Sequence, residues 1–105
     1  MRQLGGLMAI DVVWQDEGGK ELARYNGPSI DSSLPAAAGD ASPCLRFVDP
    51  YGDTTFNAAQ VDVLANELQA VAKADGPACD QARSLLVFIE CIPDRLHRYL
   101  KFIGD

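Results

Sequence analysis

Hydrophobic and polar positions alternate from Met8 onward: Met8, Ile10, Val12 and Trp14 interleave with Ala9, Asp11, Val13 and Gln15. A period of two places successive side chains on opposite faces of a strand, so this stretch predicts a strand with one buried face. The polar, glycine-bearing residues 16–20 then break the pattern. Residues 22–25 return antiparallel as a short second strand, which makes a hairpin. Residues 26–43 carry Gly27, Pro28, Pro35, Gly39 and Pro43 among serines, aspartates and alanines, with no sustained period. They read as one long loop, floppy or binding.

Residues 44–48 form a short apolar run with Leu45 and Phe47 on one side, and read as a third strand. Asp49, Pro50, Gly52 and Asp53 then suit a tight turn: proline presets φ, glycine tolerates positive φ, and aspartate bonds the local backbone. A strand over 54–56 closes a second hairpin. Asn57 and Gln60 have the spacing of a capping box, and Phe56 and Val61 that of a hydrophobic staple, so a helix is expected from Ala58. Val61, Leu64, Ala65, Leu68, Val71 and Ala72 supply its buried stripe, and it ends near Ala74.

Pro77 suits the first position of a second helix, which has Ala78, Ala82, Leu85, Leu86, Ile89 and Ile92 on one face and Pro93 as its stop. Residues 96–103 fit either period. Aromatic and β-branched content favours a strand there, covering a sheet edge left by the hairpins. The expected class is α+β: a mainly antiparallel sheet of about five short strands, in the order β-β-β-β-α-α-β, with a two-helix hairpin packed on one face.

Length bounds this architecture to one domain over residues 1–105, with 1–7 as a lead-in outside the first element. With 48% hydrophobic and 23% charged residues, the chain has the composition of a globular domain. No apolar run approaches the roughly 18 residues of a membrane span, and the N-terminus has no signal-peptide core. The expectation is therefore a cytoplasmic protein with no membrane partner. Three widely spaced cysteines, Cys44, Cys79 and Cys91, fit reduced thiols better than a disulfide framework. The net charge of −6 disfavours nucleic acid, whose sites concentrate Lys and Arg, and suits a basic protein partner.

The candidate chemistry is sparse. Asp49, Asp53 and Asn57 lack the ligand spacing of a calcium loop and its terminal glutamate. His97, the one histidine, is the obligatory base of any Cys/His pair, yet no local motif supports it. Three cysteines plus His97 do not match zinc-module spacing. Gly18, Gly19 and Lys20 fit a hairpin turn rather than a phosphate loop. No catalytic residue, metal ligand or cofactor is assigned, and the reading leans away from an enzyme.

Two stretches, LRFVDPYGDTTFN over residues 45–57 and KFIGD over 101–105, are similar to a set of small uncharacterised bacterial proteins. Those proteins carry an LRFxDPYGDTxFN-like segment and a KFxGD-like ending. The resemblance implies a bacterial source and an accessory gene, and it implies no activity, cofactor or catalytic residue.

The leading expectation is a non-catalytic protein-interaction module of the immunity or antitoxin kind. Its apolar anchors would come from Trp14, Tyr25 or Tyr51 where these are exposed. The alternative is a small-molecule-binding domain or minor enzyme with a pocket between sheet and helices, towards which Tyr51, Asp53, Arg46 or His97 would converge. Self-association as a homodimer is compatible with both.

Overall fold

The computed structural model describes residues 9–39, 42–92 and 96–104. The lead-in over 1–7, Met8 and the helix stop at Pro93 lie outside those residues. Strand β1 (Asp11–Asp16) turns through Gly18 and Gly19 into β2 (Glu21–Arg24). Asp16 holds this turn together, its Oδ1 accepting from the amides of Gly18 and Lys20, both at 2.9 Å, while Gly19 takes φ 87°. Glycine occupies that left-handed backbone at no steric cost.

The stretch expected to be a single loop contains a helix, α1 (Ser33–Ala38). Pro35 lies in its first turn, where no intrahelical amide bond is lost, and three alanines follow. Ile30 and Leu34 are buried in the core, and Ile10 bridges to Ile30. Gln81, itself buried, ties the entry to α1. Its Oε1 accepts from the Asp31 amide, and its Nε2 donates to Asp31 Oδ1 and Ser33 Oγ, each at 3.1 Å.

Burial pushes the Asp31 carboxyl up, but hydrogen bonds from Ser33 and Gln81 outweigh it and hold its pKa below the usual aspartate value. A depressed folded pKa means the contribution is complete above the unfolded pKa of about 4 and is lost as pH falls through the lower folded value. Acid denaturation of Asp31→Asn is therefore expected to show a weaker dependence on pH below about 4 than that of the parent protein. Equal slopes in urea titrations across that window would contradict this.

The third strand expected over 44–48 is instead a single 3-10 turn, Leu45–Phe47. The amides that a strand would pair find other acceptors. Glu67 Oε1 takes the Leu45 amide at 2.9 Å, Glu67 Oε2 takes that of Cys44 at 3.1 Å, and Ser42 Oγ takes that of Arg46 at 3.1 Å. A turn also separates the two side chains read as sharing one side: Leu45 is buried and Phe47 is exposed.

Among the described residues the sheet accordingly has four strands rather than the five expected. Strand β3 (Asp53–Phe56) leads into helix α2 (Ala58–Lys73), followed by α3 (Cys79–Glu90) and β4 (Arg98–Ile103). The capping box is formed as the spacing predicts: Gln60 N donates to Asn57 Oδ1 and Asn57 N to Gln60 Oε1, both at 2.9 Å. Pro77 falls in the turn ahead of α3, which begins two residues later than expected.

All pairings are antiparallel in the order β2-β1-β4-β3. The last strand thus sits between β1 and β3 and does not cover an edge. Its alternation suits an inner position, with Leu100 and Phe102 fully buried.

Both long helices lie on the face carrying Val12, Trp14, Leu100 and Phe102. Val61, Leu64 and Leu68 of α2 and Ala82, Leu85 and Ile89 of α3 complete one core with them. Trp14, at the middle of that face, donates its indole N–H to the Phe88 carbonyl in the last turn of α3 at 3.2 Å. On the opposite face Val13 is also buried, bordered by the long cross-strand neighbours Arg24 and Lys101. Among the described residues, no helix is long and apolar enough to cross a membrane.

Candidate functional site

The residues singled out by sequence fall into four places. Arg46, Tyr51 and Asp53 gather at the connection from the 3-10 turn to β3. His97 stands just before β4, at the other end of the sheet. Five strand steps separate Arg98 from Ile103, the partner of Asp53, or roughly 17 Å. Tyr25 follows β2 at the sheet's edge, and Trp14 is in the core. The six do not converge. The space between sheet and helices is filled by core side chains, Trp14 among them, and Trp14 is withdrawn as a surface anchor because it is fully buried.

The 46–54 connection is built by its own side chains. Asp49 Oδ1 accepts the Tyr51 amide at 2.8 Å, and Thr54 Oγ1 donates to the Phe47 carbonyl and accepts from the Asp49 amide, both at 3.3 Å. Gly52 does not take the positive φ expected of it. The position is crowded instead: a Cβ would lie 2.8 Å from Asp49 Oδ2, so that carboxylate would have to shift to admit one. Gly104 seats on the same turn, donating its amide to the Gly52 carbonyl at 2.7 Å. The two stretches that carried the family resemblance are thus in contact.

Lys101 of β4 pairs with Asp53 of β3 at 3.4 Å. On this braced frame Tyr51 is 72% exposed and Phe47 59%, with the Arg46 guanidinium 4.5 Å from the Phe47 ring centroid. Phe47 was not legible as a surface residue, because an alternating reading of 44–48 turned it inward with Leu45.

The other two positions have local roles. Tyr25 is half-buried, packs edge-on against Phe88 at 5.7 Å, and donates its hydroxyl to the Pro28 carbonyl at 2.6 Å. Burial pushes its pKa above the ordinary tyrosine value, opposed by a hydrogen bond with Ser84. His97 takes φ 59° and places Nδ1 3.2 Å from Glu17 Oε2, with both side chains exposed. This contact ties the β1–β2 turn to the start of β4.

The three cysteines are unpaired, and their environments differ. Cys44 is buried; burial and the neighbouring Glu67 carboxylate both raise its thiol pKa. Cys79 is half-buried with its Sγ 3.2 Å from the Ala72 carbonyl, while Cys91 is exposed. The thiolate is the reactive form. Iodoacetamide followed by peptide mass spectrometry should therefore modify Cys91 first and Cys44 last, and early modification of Cys44 would refute this ordering.

Among the described residues, no group of three or more His, Cys, Asp or Glu side chains is placed to hold a metal ion. Two cavities open at the rim of the helical layer. One of about 600 Å³ lies between α1, the end of α2 and the α2–α3 connection; another of about 470 Å³ lies between Arg24, Tyr25 and the outer side of α3. No family model matches the chain, and no curated protein or solved structure matches it.

Proposed function

We propose that the protein is a non-catalytic interaction module of the bacterial cytosol, of the immunity or antitoxin kind, that binds a basic protein through the surface around Phe47 and Tyr51. One observation carries this reading: two aromatic side chains stand exposed on a connection whose backbone is pinned by Asp49, Thr54 and Gly104. Aromatic anchors that are already rigid lose little entropy on binding, and such residues dominate interface energies. The net charge of −6 supplies attraction and a faster encounter with a basic partner. Three free thiols accord with a reducing compartment.

The test is retention of a basic protein from source-cell lysate on the tagged full chain at low and high salt, with mass spectrometry of what stays. The binder should be kept at low salt and weakened at high salt. With the purified partner, Tyr51→Ala or Phe47→Ala should cost about 2 kcal/mol, roughly thirtyfold in Kd. Binding indifferent to both salt and these substitutions would overturn the proposal.

A further inference from the structure

The two edges of the sheet are finished differently. Strand β2 is irregular: its pairing with β1 shifts register between Trp14 and Gln15, and it carries Glu21 and Arg24. A bulge and charged side chains blunt an edge against other strands. Strand β3 has neither bulge nor proline. Asp53–Phe56 pair with β4 in unbroken register, and Thr54 and Thr55 favour extended backbone. The one charge on this strand, Asp53, is countered by Lys101 at 3.4 Å.

The main-chain groups left open on β3 follow from its pairing. Gly104 donates its amide to the Gly52 carbonyl at 2.7 Å, which makes these two a hydrogen-bonded pair in the same register as Asp53 with Ile103. Hydrogen-bonded and non-bonded pairs alternate along antiparallel strands, so Thr54 and Phe56 also bond towards β4. The amides and carbonyls of Asp53 and Thr55 therefore point away from the sheet, and both residues are exposed. Among the described residues, nothing bonds to these amides and carbonyls.

We infer that this edge pairs antiparallel with β3 of a second copy of the chain, about a two-fold axis at Thr54, and so joins two four-stranded sheets into one. In that register every open group finds a partner: Asp53 of each copy lies opposite Thr55 of the other, and such a pair exchanges two main-chain bonds. No like charges meet directly, and Thr54 faces its own counterpart, a favourable cross-strand pairing. Lys101 lies directly across β3 from Thr55, so the Asp53 carboxylate of the other copy meets a threonine with a lysine behind it. The inference is independent of the proposed partner, since main-chain groups of β3 make the contact rather than Phe47 and Tyr51.

The experiment is sedimentation velocity on the purified full chain from about 5 to about 500 µM, in about 0.15 M salt to screen repulsion between two acidic chains. The sedimenting species should pass from one chain to two with a Kd on the order of 50 µM, as suits a small contact. Amide chemical shifts give the register. On dilution from about 500 to about 50 µM those of Asp53 and Thr55 should move, while those of Leu22 and Arg24 on the other edge stay in place.

Thr55→Pro removes an amide that bonds nothing within the fold, and proline is tolerated on an edge strand. Thr55→Asp sets carboxylates against each other across the junction, while within one copy the new side chain faces Lys101. Each should raise Kd at least about tenfold, and either suffices should the other fail to fold, as judged by circular dichroism. A single chain throughout at about 500 µM, a dimer unaffected by a folded variant, or dilution shifts that spare Asp53 and Thr55 would each overturn the inference.

Discussion

Replacing Trp14 by alanine is expected to lower the unfolding free energy by about 3–5 kcal/mol, a large share of the roughly 5–15 kcal/mol available to a domain of this size. The indole is fully buried at the middle of the sheet's inner face, where β1 meets both β2 and β4. Its removal empties a space ringed by elements that cannot all move inward together, so both transfer and cavity costs apply. The loss also frees the Phe88 carbonyl from its bond to the indole N–H.

Trp14→Phe keeps most of the ring and forfeits that bond, so a loss nearer 1–2 kcal/mol is expected. Urea denaturation followed by circular dichroism checks both variants. In the parent protein, fluorescence reports the same transition, because Trp14 is the only tryptophan. An alanine variant within 1 kcal/mol of the parent would mean that the inner face repacks around the gap.

The second large effect is expected at Gly104. A Cβ built there would stand 2.4 Å from the Asp49 carbonyl oxygen and 2.5 Å from both the amide nitrogen and the carbonyl oxygen of Gly52. All three are backbone atoms, so no side chain can swing aside to relieve the clash. Gly104→Ala must push the chain off the turn and break its bond to Gly52, at a cost of about 1–3 kcal/mol. Because the same contact braces the exposed aromatics, the variant should also loosen the turn. Hydrogen exchange at Tyr51 and Gly52 should then rise by more than at the α2 amides. Thermal unfolding checks the first effect; exchange that rises uniformly would argue against a local brace.

Much of the fold was legible because its signals are local. The inner face of β1, the Asn57–Gln60 capping box and the stripes of α2 and α3 each follow from residues within a few positions of one another. The choice of strand over helix at 96–103 rested on aromatic and β-branched content, and in the strand found at Arg98–Ile103 both Leu100 and Phe102 reach the core. What escaped depends on distant partners. Residues 44–48 have a strand's composition, but Glu67 and Ser42 supply acceptors for their amides, and Glu67 lies more than twenty positions along the chain. The helix at 33–38 has one buried apolar residue, Leu34, and thus no visible period.

At the candidate surface, Tyr51 was legible from its place in a polar turn, while Phe47 was misplaced by the strand reading. Trp14 was misjudged as an anchor for the opposite reason: its alternation with Asp11 and Gln15 already placed it on the buried face.

The inner position of β4 has a consequence for how the chain comes together during synthesis. The β1–β2 hairpin and the α2–α3 pair involve neighbours in sequence and can assemble as soon as they are made. Nothing joins β1 to β3 until Arg98–Ile103 arrives between them. Pairings that span nearly the whole chain slow folding, and until they form the inner edges of β1 and β3 stay open to other chains. A ribosome that stalls before residue 98 would therefore release a chain whose β1–β2 hairpin and lone β3 have no strand between them, a species prone to aggregate.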